Sequence, residues 1–230
     1  MKTEKISTGS YDLNTWLYGG YERDIITMIA GPPGCGKTNF VILASCSQAK
    51  KGNKVIFVDT EGGFSVERVK QIMGAENAEN ALKNIFLLKP TSFEEQKKDF
   101  LKLLNFVKKE DIGLIVIDGM AMLYRLETGE AHNLKNDEAL AEISRKQNIP
   151  IIITNQVYSE FLSEEDLKKG IERGTNLVGG DLFKYWSKCI IELKNPDGKR
   201  TAILLKHRNM PQKEMGFIIK NEGVFRKRWL

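Results

Sequence analysis

The chain has only three cysteines and two histidines in 230 residues. Cys35, Cys46 and Cys189 are odd in number, widely spaced and without a Cys-x-x-Cys pair, which argues against a disulfide framework and against a zinc site. Neither His132 nor His207 reads as a metal ligand. No apolar run approaches the length that crosses a bilayer. The opening MKTEKISTGS has neither the apolar core nor the small-residue cleavage site of a signal peptide. The expected location is the cytoplasm, with no membrane partner. Repeats and low-complexity linkers are missing too, so residues 1–230 read as a single domain.

What is present is an ordinary globular balance, 41% hydrophobic and 28% charged. The net charge of +5 permits a polyanionic partner without requiring one. Short β-rich runs alternate with helical patterns. Ile25–Ile29 reads as a strand, followed by a glycine-rich loop and a helix from near Lys37. Val55–Val58 and Ile85–Leu88 are further strands, the latter followed by an amphipathic helix from about Phe93 to Lys109. Leu114–Ile117 and Ile149–Thr154 are continuous apolar runs of strand length, as expected of strands covered on both faces. Ile190–Leu193, Ala202–Leu205 and Phe217–Ile219 read as a late antiparallel run, with Asn195-Pro-Asp-Gly198 as a turn. The expected fold is α/β: a mostly parallel twisted sheet flanked by helices, with antiparallel strands at its C-terminal edge.

The stretch Gly31-Pro32-Pro33-Gly34-Cys35-Gly36-Lys37-Thr38 matches G-x-x-x-x-G-K-[ST] and lies between a strand and a helix, the context this phosphate-binding loop requires. Its glycines let backbone N–H groups converge on phosphate oxygens, and the helix adds its positive end. Lys37 is expected to reach the β- and γ-phosphates and Thr38 to ligate Mg²⁺, which makes ATP with Mg²⁺ the expected ligand. Asp118 ends an apolar strand at the edge where parallel sheets bind ligands, and can orient the metal from the second side. Asp59-Thr60-Glu61 reaches the same edge, where a carboxylate can polarise an attacking water. Thr154-Asn155-Gln156 ends a further strand; its amide can sense the γ-phosphate, although an N-cap or turn cluster explains that spacing as well.

Four segments, in order and spacing, resemble the RecA/RadA recombinase family: the phosphate loop, Val58-Asp-Thr-Glu-Gly-Gly-Phe64-Ser-Val-Glu-Arg68-Val, Asp118, and Thr154-Asn-Gln-Val157. Ile6-Ser-Thr-Gly-Ser10, Leu13 and Gly19-Gly20 are similar to the start of that family's ATPase core. The short length and Lys206-His-Arg208-Asn-Met-Pro211 point to the archaeal paralogues among these recombinases. The resemblance implies a RecA-like P-loop ATPase core, with Glu61 as catalytic base and Gln156 as γ-phosphate sensor beside Lys37. It places Arg68 near the adenine ring, and Lys206 and Arg208 where relatives supply cations to a neighbouring subunit's nucleotide. It also implies DNA, single-stranded or branched, and a full-length recombinase with other recombination proteins as partners.

The chain departs from the family in starting at the core, without an N-terminal helical domain or a Phe-x-x-Ala filament plug, so self-association is expected to lack that route. The segment matching the second DNA loop, Tyr158–Asp181, carries six acids against three bases, a poor surface for phosphates. The first loop, near Leu123–Asn136, is balanced. Basic charge gathers instead at Arg226, Lys227 and Arg228, with Phe225 and Trp229 available for stacking, and this cluster is the expected DNA surface. The resulting expectation is an ATP- and DNA-binding accessory protein of homologous recombination and repair. Its ATPase activity should be weak and strand exchange alone beyond it. The alternatives are a KaiC-like signalling ATPase and a nucleotide-gated adaptor without direct DNA function.

Overall fold

The computed structural model describes residues 4–120, 134–159, 175–177 and 181–227. Twelve strands and seven α-helices are described. In chain order they are β1 (Lys5–Ile6), α1 (Tyr11–Trp16), β2 (Tyr21–Glu22), β3 (Ile26–Gly31), α2 (Lys37–Lys50), β4 (Lys54–Asp59), α3 (Val66–Met73), α4 (Ala75–Leu82), β5 (Ile85–Leu88), α5 (Phe93–Lys109), β6 (Ile112–Asp118), α6 (Leu134–Gln147), β7 (Ile151–Ser159), β8 (Thr175–Leu177), α7 (Asp181–Trp186), β9 (Ser187–Lys194), β10 (Thr201–His207), β11 (Lys213–Lys220) and β12 (Gly223–Arg226).

The main sheet runs β12-β11-β10-β9-β3-β7-β6-β4-β5, with β8 attached antiparallel to β7, while β1 and β2 pair separately. Every neighbour from β9 through β3, β7, β6 and β4 to β5 is parallel, and the pairs among β9, β10, β11 and β12 are antiparallel. One expectation is corrected here. The run Ile190–Leu193 does not belong wholly to the antiparallel set, because β9 is the seam: parallel to β3 on one side and antiparallel to β10 on the other. Its near-continuous burial is that of a strand with sheet on both sides and helices on both faces.

Register decides where side chains meet. Asp59 at the end of β4 lies opposite Asp118 at the end of β6, and Gly31 of β3 lies opposite Gln156 of β7. Thr154 follows Ile153, the partner of Ile117, and so stands beside Asp118. Four strands that share a direction therefore deliver these five motif residues to one rim.

The sheet splits the core in two. One cluster gathers α2, the β1–β2 pair and the antiparallel strands through Phe40, Phe57, Ile191, Phe217 and Val224; the other packs α5 and α6 through Leu103, Leu140, Ile115 and Ile151. Helix α2 is buried on nearly every side, as an apolar helix between two layers must be. Helix α5 is amphipathic and starts at Ser92, whose hydroxyl accepts from Glu95 N at 3.2 Å; acids occupy its first turn and lysines its last. Ser10 caps α1 and donates to Val224 O at 2.6 Å, fastening the start of the chain to β12.

Under the phosphate loop, Phe217 meets Phe40 edge-on at 5.2 Å between ring centroids. Replacing Phe217 by Ala should destabilise the fold by about 3–5 kcal/mol, through lost burial and the cavity left between α2 and β11. The midpoint of a urea titration would fall accordingly, and an unchanged midpoint would show that β11 does not support α2.

Candidate functional site at the phosphate loop

The loop Gly31–Thr38 joins β3 to α2 as expected. Gly34 and Gly36 have φ of 73° and 111°, a conformation that a Cβ strains. A Cβ on Gly36 would also stand 2.8 Å from Ile219 Cδ1. No side chain caps the N-terminus of α2, and Asn39 N–H turns back to Gly36 O at 3.0 Å; an uncapped helix start of this kind suits an anion. Cys35 is buried inside the loop, and burial raises its thiol above the usual range. Pro33 and Gly34 form the exposed crest. Lys37 is only 5% exposed, and its Nζ donates to Gly31 O at 2.9 Å and Pro32 O at 3.1 Å, so it lies folded within the loop it serves.

Asp118 is the most constrained group of the site, being fully buried. Its Oδ2 accepts from Thr38 Oγ1 at 2.8 Å and its Oδ1 from Thr154 Oγ1 at 2.6 Å. Thr154 Oγ1 in turn accepts from Gly119 N at 2.8 Å, which directs its single proton at the carboxylate. Burial pushes the Asp118 carboxyl above the usual range, the hydroxyls of Thr154 and Thr38 pull it back, and Glu61 and Asp59 push it further up. Among the described residues no group of three or more His, Cys, Asp or Glu could hold a metal ion. A Thr hydroxyl beside one carboxylate fits Mg²⁺, which takes few protein ligands and completes its shell with phosphate oxygens and water.

The Asp59 carboxylate accepts from Gly63 N and Phe64 N, each at 3.0 Å, while Phe64 packs on Phe57 at 4.9 Å between centroids. Those contacts close the loop that carries Glu61. Glu61 Oε1 accepts from Gln156 Nε2 at 3.0 Å, so the carboxylate and amide named from separate motifs stand in direct contact. Asp59, one of the two acids at that strand end, closes the loop and leaves Glu61 to face Gln156. Gly119 and the hydroxyls of Thr60 and Thr154 have no role in the sequence reading, although both threonines lie within its motifs and Asp118-Gly119 carries the glycine signal of a turn.

Other candidates are placed differently. Arg68 donates to Asn39 Oδ1 at 2.8 Å, Lys220 O at 2.8 Å and Asn221 O at 3.0 Å, bracing the first turn of α2 against the β11–β12 turn. Arg208 pairs with Asp24 through both terminal nitrogens and with the buried Glu22 through Nε. Lys206 Nζ donates to Lys184 O at 2.7 Å. His207 lies opposite Cys189, which pairs with Thr27 near the start of β3, so this segment occupies the end of the sheet away from the chain's own phosphate loop. Arg226 is exposed, and its backbone N–H donates to Asp12 Oδ2 at 2.8 Å. Alternation along β12 sends Phe225 and Arg226 to opposite faces. Arg228 and Trp229 lie outside the described residues, as do most of the stretches Leu123–Asn136 and Tyr158–Asp181.

Comparison with known proteins agrees with this layout. The Rad51 family matches residues 1–227. A protein named DNA repair and recombination protein RadB from Methanobrevibacter smithii is 37% identical over 230 residues, covering 96% of this chain and 95% of that one. A protein of the same name from Methanococcus maripaludis is 41% identical over 222 residues, covering 92% and 96%. A solved structure described as that of the RadB recombinase superposes with a TM-score of 0.76 at 31% identity, covering 95% of this chain and 98% of that one. The fold is RecA-like, and the chain belongs to the Rad51 family.

Proposed function

We propose that this chain binds ATP with Mg²⁺ at the phosphate loop, hydrolyses it slowly, and serves as a DNA-binding accessory protein in homologous recombination and DNA repair. The observation that carries the reading is the convergence at one rim of Thr38 with Asp118 at 2.8 Å and of Glu61 with Gln156 at 3.0 Å. The names of the archaeal relatives support the biological setting. A full recombinase is the natural protein partner.

In this reading the loop N–H groups and Lys37 hold the phosphates, and Lys37 exchanges its carbonyl contacts for phosphate oxygens. Thr38 and Asp118 orient Mg²⁺, which when bound would neutralise charge developing on the phosphates. Glu61 holds the attacking water, and Gln156 releases Glu61 as it turns toward the γ-phosphate. Slow turnover follows from the cations. Arg208 is paired with Glu22 and Asp24 at the far end of the sheet, so transition-state charge in an isolated subunit lacks that guanidinium.

The deciding experiment is DNA binding with and without ATP, titrated against salt. Affinity that falls steeply with salt supports the reading. Rings in solution without salt-sensitive DNA affinity would favour a signalling ATPase instead.

Lys37→Ala should abolish nucleotide binding, since it removes the cation facing the β- and γ-phosphates. Parent-like ATP affinity by calorimetry would sink the phosphate-loop assignment. For Glu61→Gln, ATP affinity should stay within a few-fold while turnover drops by about 10²-fold or more. Unchanged turnover would leave Glu61 a turn acid. Neutralising Arg226, Lys227 and Arg228 together should reduce the slope of log affinity against log salt by roughly 2–3 units. If the slope holds, DNA is bound elsewhere.

A further inference from the structure

Glu61 sits on a loop, and a general base is useful only when its position is fixed to a fraction of an ångström. Its contact with Gln156 cannot supply that fixity, because the proposed sensing motion breaks it. The position must come from something that does not move during turnover.

The neighbouring residue provides it. Thr60 follows the end of β4, and its backbone N–H donates to Asp118 O at 3.1 Å. Its hydroxyl points the same way, sharing its proton between Asp118 O at 3.0 Å and Gly119 O at 2.8 Å. One acceptor is the last residue of β6, the strand that presents the Asp118 carboxylate, and the other is the turn residue that follows it. Gly119 completes the seat from the other side. It holds φ at 88°, and a Cβ there would lie 2.5 Å from Thr60 Oγ1 and 2.6 Å from Glu61 Cγ. The side chain of Glu61 thus rests against the one residue type that leaves room for it.

We propose that Thr60 is a positioning residue for the hydrolytic reaction: its hydroxyl, lying on the side-chain-free Gly119, fixes Glu61 in register with the metal-orienting Asp118. The inference rests on Glu61 being the base. It adds that base and metal carboxylate are registered to each other directly, across the β4–β6 pair, and not separately through the substrate. The Thr60 hydroxyl is committed to the Asp118 and Gly119 carbonyls, so its effect on the reaction passes through Glu61.

The test is single-turnover hydrolysis and ATP affinity for Thr60→Val, Thr60→Ser, Glu61→Gln and the double variant Thr60→Val/Glu61→Gln. Amide hydrogen exchange of Glu61–Gly63 is followed in the nucleotide-free protein. Thr60→Val should slow hydrolysis by about 10-fold or more, with ATP affinity within two-fold of the parent. Thr60→Ser should restore most of the rate, since it keeps the hydroxyl. In the Glu61→Gln background, Thr60→Val should cost less than about two-fold, the non-additivity expected of a residue acting through its neighbour. Exchange at Glu61–Gly63 should be faster in Thr60→Val than in the parent. If Val is not tolerated, Thr60→Ala carries the same expectations.

Three results would overturn the inference while leaving Glu61 as the base. Thr60→Val could hydrolyse at the parent rate while Glu61→Gln fails. Thr60→Ser could lose as much as Thr60→Val. The double variant could pay the full cost of both changes. Parent-like turnover in Glu61→Gln would instead reject the base itself, and the positioning role with it.

Discussion

A carboxylate with no access to water holds this site together. Taking the charge of Asp118 out of solvent is costly, and the cost is offset only by hydrogen bonds that favour the ionised form. Two hydroxyls supply them, one from the first turn of α2 and one from within β7, which runs on past Thr154 to Ser159. The backbone of the same residue accepts from Thr60, which follows the last residue of β4. One residue on β6 therefore ties together the phosphate-loop helix and both flanking strands. The alignment of Asp118 with Asp59, and of Gly31 with Gln156, makes those contacts possible. A slip of one residue in either pairing would send the motif side chains to opposite faces of the sheet.

The antiparallel extension adds support from below. Phe217 and Ile219 pack beneath the phosphate loop, and Gly36 is glycine both because of its backbone angle and because Ile219 occupies the space a side chain would need. Arg68 reaches from α3 to Asn39 on α2 and to two carbonyls of the β11–β12 turn. Ser10 attaches the N-terminal helix to β12. The strands farthest from the chemistry are thereby fastened to the helix that begins it, and the end of β12 carries part of the basic cluster.

Charge is divided between the two ends of the sheet. At the C-terminal rim of the parallel strands, Asp59, Glu61 and Asp118 gather negative potential around a buried lysine, a setting suited to a cation and a polyphosphate together. At the opposite end the fully buried side chain of Glu22 is met by Arg208, Lys5 and His207, and burial lowers the His207 imidazole below its usual range. An arginine held by two acids is a structural brace in its own subunit. Its distance from its own phosphate loop means that any nucleotide it served would belong to another copy.

The sequence by itself determined the elements and the chemistry of single motifs. The phosphate loop, the strands closed by Asp59 and Asp118, and the helix from Phe93 to Lys109 were all legible, because periodicity and glycine spacing are local properties. Pairing partners were not. Ile190–Leu193 read as one more antiparallel strand, yet β9 joins the two halves of the sheet, since an apolar run says that both faces are covered and not which way its neighbours run. Arg68, Lys206 and Arg208 were legible as cations, while their partners Asn39, Lys184, Glu22 and Asp24 lie far off in sequence or across the sheet. Only the tertiary structure decided that Glu61 touches Gln156, or that the hydroxyls of Thr60 and Thr154 fall on the end of β6. Residue type sets what a side chain can donate or accept. Register and strand order, fixed by the burial of the whole sheet, set what it meets.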